Sequence, residues 1–235
     1  MLLWVVALGI VQAASVFTVA VRYGSADRTA WTRDLHAVRA LGFTAVVVPD
    51  DRVEAIRAAA AEAELQVIAK RDENTPPTVV LDGSGPPSAL RYRGWTAIRH
   101  GARAIAFAID ADIPPAPSPV EGRQPHLRAA GAFAGSVAGS ARLFLTMKPI
   151  DGARPTVVDA RLFQSGQALV LIALNHHDAP REGIITLPPS TPLAEWVNLE
   201  TGEVAYFDRV PDGVAYRHQF GTRDALVLVI RRDIQ

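Results

Sequence analysis

Hydrophobic and polar positions follow two rhythms along this chain, and the rhythm changes near residue 153. Before that point, apolar β-branched runs alternate with stretches of helical period. Ser15 to Arg22 is rich in Val, Thr and Phe and predicts a strand. After the loop Tyr23 to Arg28, Trp31, Leu35, Val38 and Leu41 recur at helical spacing. Asp27 or Thr29 can cap that helix and Gly42 can stop it. Phe43 to Val48 is almost wholly apolar, as a strand covered on both faces should be. Asp51 is placed to cap a helix from Arg52 to Glu64, and Leu65 to Ala69 predicts a third strand. This β-α-β-α-β series with short loops implies a parallel sheet.

The next stretch is less regular. Arg71 to Pro77 reads as a polar loop in which Asp72 and Glu73 are solvated charge. Thr78 to Leu81 predicts a short strand, and Asp82 to Pro87 a turn-rich loop. Ser88 can cap a helix through His100, and Arg103 to Ile109 predicts another strand. Asp110 to Pro125 is Pro-rich and irregular. Ala129 to Met147 predicts one long helix whose Gly131, Gly135 and Gly139 line one face and permit close packing. Arg128, Ser136, Ser140 and Arg142 argue against a membrane span there.

From Arg154 onward the period is two. Seven candidate strands lie at 157–163, 168–175, 183–187, 194–198, 204–208, 213–219 and 225–231, separated by turn residues. That spacing predicts an antiparallel sandwich. The expected fold class is α/β plus all-β. An α/β unit over 15–150 is joined by the linker Pro149 to Pro155 to a β-sandwich over 154–235.

Composition narrows the partners. Lys+Arg and Asp+Glu number 24 each, so nothing draws the chain to nucleic acid or an anionic membrane. The absence of cysteine excludes disulfides, thiolate catalysis and cysteine-based zinc sites. His176-His177 is too little for a metal site, because adjacent strand residues face opposite ways. No nucleotide fingerprint, Gly-x-Ser-x-Gly or His-Glu-x-x-His motif occurs, so no cofactor is expected. The apolar run Leu2 to Val11, followed by Gln12-Ala13-Ala14, has the length of a signal-peptide core. It gives the expectation of a leader over 1–14 and a secreted or periplasmic protein, although a basic start is lacking.

Two segments of the first half carry a family resemblance. Trp31-Thr-Arg-Asp-Leu, continuing through Leu41-Gly-Phe-Thr to Val48, resembles the first helix and second strand of β-galactosidase-like TIM-barrel glycoside hydrolases. Arg91-Tyr-Arg-Gly-Trp-Thr-Ala through Gly101-Ala-Arg-Ala-Ile resembles the helix between strands seven and eight of that family, with strand eight itself. Trp196-Val-Asn-Leu-Glu-Thr-Gly-Glu203 is similar to a turn in the small β-domain that often ends such enzymes. A whole barrel needs eight βα units and about 200 residues or more, so the resemblance implies an incomplete (β/α) TIM-type barrel with units one to three, seven and eight. The family's Asn-Glu acid/base pair has no counterpart here. Asp82 stands where the family places its nucleophilic Glu.

The resemblance makes carbohydrate the expected partner. Glycoside hydrolysis generally needs two carboxyl groups flanking the bond, about 5–5.5 Å apart for retention and about 6.5–9.5 Å for inversion. In parallel α/β folds such groups lie beyond the C-terminal strand ends. The candidates there are Asp82 and Asp110 as catalytic residues, with Asp112 beside them. Arg22, Tyr23, Asp50 and Asp51 are the candidates for substrate binding. Each has a plainer role available: Asp82 and Asp110 as turn formers, Asp51 as a cap, Arg22 as an ion-pair partner. Two functions stay open. The chain is a small glycosidase, or it is a non-catalytic relative that binds glycans or partners, including a further copy through an exposed sheet edge.

Overall fold

The computed structural model describes residues 17–73, 78–111, 124–193 and 195–230. The leader candidate, Asp112 and most of the Pro-rich stretch lie outside those residues. The first half runs β1 (Thr18–Tyr23), α1 (Trp31–Ala40), β2 (Ala45–Val48), α2 (Val53–Glu62), β3 (Gln66–Ala69), β4 (Thr78–Asp82), α3 (Pro87–Arg99), β5 (Ala104–Ala111), α4 (Gln124–Ala138) and α5 (Ala141–Thr146). Its five strands form one parallel sheet in the order β3-β2-β1-β5-β4. Among the described residues, β3 and β4 are each bonded on one side only.

The two faces of this sheet differ in residue size. Val19, Val21 and Tyr23 of β1, Val46 and Val48 of β2, and Ile105 and Phe107 of β5 face the helices and join the main core with Leu35, Ile56, Trp95 and Phe133. The opposite face carries Ala20, Ala45, Val47 and Ala106, flanked by the half-buried Ile68 and Val80. Strand alternation makes this split, since successive side chains point to opposite faces.

Several end signals work differently from their sequence expectation. Asp27 accepts a hydrogen bond from Thr29 N–H at the entry to the first helix, and Gly42 ends α1 with φ +100°. Asp51 caps nothing: it sits in a short 3-10 turn over 50–52, and the residue before α2 is Arg52. Ser88 is likewise no cap, because the helix already starts at Pro87, where a missing N–H does no harm. The expected long helix is two, α4 and α5, broken around Gly139 and Ser140. Of its glycines, Gly131 permits close approach, and the Gly135 backbone lies close to Gly42. A Cβ on Gly131 would lie 2.8 Å from Leu41 O, and one on Gly42 would lie 2.6 Å from Gly135 N.

The second half continues β6 (Lys148–Ile150), β7 (Arg154–Thr156), β8 (Asp159–Ser165), β9 (Ala168–Asn175), β10 (Arg181–Leu187), β11 (Trp196–Asn198), β12 (Val204–Ala205), β13 (Asp208–Val210), β14 (Gly213–Phe220) and β15 (Asp224–Ile230). They make a six-stranded sheet, β12-β11-β15-β9-β8-β6, and a four-stranded sheet, β13-β14-β10-β7. Trp196, Leu171, Leu228, Ile185 and Phe220 fill the space between the sheets. The stretch expected as a turn-rich linker holds β6 and β7, which pair into opposite sheets.

Alternation along β9 and β15 then joins the halves. Leu171, Ala173, Leu226 and Leu228 face the sandwich core, while Val170, Ile172, Leu174, Ala225 and Val227 belong to the main core with the α/β half. No helix of the described residues is long and apolar enough to cross a membrane.

Candidate functional site

Arg22 lies at the C-terminal end of β1, on the small-residue face with Ala20 and beside Val47. Small neighbours leave room there for a long side chain. The chain crossing out of β3 brings Glu73 to it, 51 residues away in sequence. Arg22 Nε donates to Glu73 Oε2 at 2.9 Å and Nη2 donates to Oε1. Glu73 is only 3% exposed, so it is not the solvated loop charge its polar surroundings suggested. Two parallel N–H···O bonds are the geometry that lets a carboxylate be withdrawn from water.

Asp82 ends β4, two strands from Arg22 in the sheet order. It is exposed, and its Oδ1 is heavily engaged. It accepts from Ser84 N–H at 3.0 Å, from the Ser84 hydroxyl, and from Arg93 Nη1 of α3 at 2.8 Å. The Ser84 hydroxyl, then the Ser84 N–H and Arg93, hold the Asp82 carboxyl below its ordinary pKa. Each of these partners favours the charged form.

The remaining candidates scatter. Tyr23 is 2% exposed and its hydroxyl donates to Asp34 Oδ2 at 3.0 Å. Burial pushes the phenol's pKa well above its usual value, and Asp34 adds to this. Tyr23 points into the helix layer and is a core residue. Asp34, the acidic residue of the Trp31-x-x-Asp34 motif, also accepts from Arg33 Nε and Nη2. Asp50 Oδ1 accepts from Arg71 N–H at 3.1 Å, which ties the loops after β2 and β3 together. Asp51 is exposed in the turn before α2. Asp110 is described only as backbone within β5. Among the described residues, no group of three or more His, Asp or Glu gathers to hold a metal ion.

A second polar cluster lies where α3 meets the sandwich. Arg91 donates to both Glu200 oxygens, to Asp224 Oδ1 and to Ala225 O, and Trp95 Nε1 donates to Glu200 Oε1 at 3.0 Å. Burial alone would lower the Arg91 pKa, but Glu200 and Asp224 outweigh it and hold it above its usual value. At the next residue, the Tyr92 hydroxyl bonds His176 Nδ1; the Nε2 of that ring lies 3.2 Å from Asp159, and Arg99 bonds the same carboxylate. Two motifs of the family resemblance, the α3 segment and the Trp196–Glu203 turn, therefore bond to each other. Sequence reading missed this, and it missed Glu73 and Arg93. Nothing local marks partners 109 residues apart.

No family model matches this chain, and no curated protein matches it. Among solved structures it is similar to a noncanonic maltogenic alpha-amylase, AmyB from Thermotoga neapolitana, at 12% identity and a TM-score of 0.43, covering 90% of this chain and 61% of that one. It is similar to an alpha-fucosidase of Thermotoga maritima, solved in complex with fucose, at 10% identity and a TM-score of 0.39, covering 86% and 56%. It also matches in part Gan42B, a GH42 beta-galactosidase, at 14% identity and a TM-score of 0.25, covering 43% and 13%. The chain thus spans about three fifths or less of the length of these glycoside hydrolases.

Proposed function

We propose that this chain binds carbohydrate without hydrolysing it. It is read as a shortened relative of β-galactosidase-like glycoside hydrolases, exported from the cell by a leader over 1–14 and divided into an α/β unit over 15–150 and a sandwich over 154–235. The sheet order β3-β2-β1-β5-β4 supports a barrel reduced to units three, two, one, eight and seven. The sides of β3 and β4 that are unbonded among the described residues would be where a further copy could add.

The observation that carries the reading is the state of Asp82. Its Oδ1 is taken up by Ser84 and Arg93, and these contacts favour the ionised form. An ionised Asp82 suits the nucleophile's place that the resemblance gives it but cannot give a proton to a departing sugar oxygen. The Asn-Glu acid/base pair of that family has no counterpart in this sequence, and a general acid contributes about 10²–10⁴-fold. The carboxylate seated on Arg22, Glu73, has both oxygens in a bidentate pair and little exposure. Arg22 and Asp82 carry the kinds of polar group that sugar hydroxyls meet, a guanidinium and a carboxylate.

Purified protein should turn over no aryl glycoside, and Asp82→Asn should change nothing in that assay. A neutral sugar bound in the α/β half should bind more weakly to Arg22→Ala and to Asp82→Ala. Robust turnover that disappears in Asp82→Asn would overturn the proposal in favour of a glycosidase.

A further inference from the structure

The outer face of the four-stranded sheet carries a groove of about 530 Å³ that no reading of the α/β half uses. That volume lies in the ordinary range for small-molecule sites. The strand register builds its floor. Arg154 of β7, Thr186 of β10, Ala215 of β14 and Asp208 of β13 lie in one row across the sheet. Thr156, Ile184 and Arg217 make the next row. All are side chains of the face turned away from the sandwich core, whose own side is built by Ile185, Leu187 and Val214. Val210, Pro211 and Asp212, at the end of β13 and in the turn that follows it, form one rim. Arg154 Nη2 reaches that rim and donates to Asp212 O at 2.6 Å, which closes one end.

The chemistry of the lining selects among ligands. Arg154 and Arg217 donate, Asp208 and Asp212 accept, and Thr156 and Thr186 do both. The lining charges cancel, and Arg217 also faces Glu182 at 3.2 Å. A phosphate would meet Asp208, and a polyamine would meet two guanidinium groups. A neutral molecule bearing many hydroxyls satisfies donors and acceptors together. Ile184 and Ala215 give its C–H surfaces an apolar floor, and Val210 an apolar edge. We infer that this groove binds a short neutral oligosaccharide. The inference stands on the sandwich alone and is independent of the site around Arg22 and Asp82.

The test is a titration of ¹⁵N-labelled full-length chain with malto-, xylo- and galacto-oligosaccharides, with inorganic phosphate and spermine run in parallel. One of the neutral sugars should move the backbone resonances of Thr156, Ile184, Thr186 and Ala215. Asp208→Ala should weaken that binding about tenfold or more, as expected when a charged hydrogen-bond partner is lost. Ala215→Trp, which fills the floor without entering the core, should abolish it. Arg22→Ala should leave it unchanged. Shifts confined to the α/β half would overturn the groove and leave the proposed function standing. Shifts in the groove with phosphate or spermine alone would overturn the ligand class, and silence with every probe would overturn the site. Because the wild-type map decides these outcomes, a variant that fails to fold does not blunt the test.

Discussion

At the scale of single residues, the central fact is that the buried Glu73 has no business in water-poor surroundings without Arg22. Its side chain is 4% exposed and that of Arg22 is 29% exposed, so the pair is only weakly screened. Glu73→Gln keeps the shape but leaves a guanidinium facing a neutral amide. It should lower stability by about 1–3 kcal/mol, below the roughly 3–5 kcal/mol that breaking a fully buried pair costs, because Arg22 keeps some solvent. Urea unfolding at neutral pH would measure this. A loss no larger than that of an ordinary surface change, about 0.5 kcal/mol, would show that the pairing contributes little. Asp82 differs because its partners hold an exposed charge. Its contacts shape a turn and decide chemistry more than stability.

At the scale of elements, the glycines of α4 separate two effects that sequence spacing lumps together. Gly131 lies against the end of α1, where an added Cβ would meet Leu41 O at 2.8 Å and Leu41 Cβ at 2.9 Å. Backbone cannot yield as a flexible side chain can. Gly131→Ala should therefore destabilise by about 1–3 kcal/mol. Gly135 has nothing within 4 Å of an added Cβ. There the helix preference for Ala should dominate, and Gly135→Ala should stabilise by roughly 0.5–1 kcal/mol. Thermal melts of the two variants should move in opposite directions. Equal shifts of either sign would refute the packing argument. Helix α3 is the other element with more than one duty. One face packs Gly94 on Phe133, and its polar side chains Arg91, Tyr92 and Arg99 reach the sandwich.

At the scale of the whole molecule, the two halves share one apolar core. Phe163, Val170, Ile172, Leu174 and Val227 of the six-stranded sheet lie in the same cluster as Trp95, Phe133 and Phe144. A seam filled in this way couples the halves far more than a flexible linker would. Unfolding in urea should then be one transition. Helical circular dichroism, which reports the α/β half, should coincide with loss of amide protection in β9 and β15. Arg91→Ala should lower both together. Acid should act on the same seam. Burial alone would raise the Asp224 pKa, but the Gly221 N–H and Arg91 pull it below its ordinary value of 3.8. A depressed folded-state pKa means that this stabilisation is complete above that value and fades as pH falls through and below it. Separate transitions for the two probes would sink the single-core description.

Much of the architecture was legible because burial writes a local signature. Strands covered on both faces are nearly continuous in Val and Ala, as in Phe43 to Val48, and half-covered strands alternate. The change of period marks where helices stop facing a sheet. Local spacing also marked the glycines that let α1 approach α4. What a residue's charge does, by contrast, is set by what the fold brings beside it. Arg22 and Glu73 are 51 positions apart, and Arg91 and Glu200 are 109 apart. An ion pair leaves no periodicity, so Glu73 read as loop charge until tertiary structure put it on Arg22. The same holds for β6 and β7, three residues each, whose pairing into opposite sheets depends on long-range register more than on their own composition. The outer groove exists only as a product of that register. Sequence alone determined the layers and which faces are apolar, because hydrophobic burial is spread over many neighbouring positions. Tertiary structure alone decided which carboxylates are engaged and where a ligand could sit, because those depend on single atoms from distant segments.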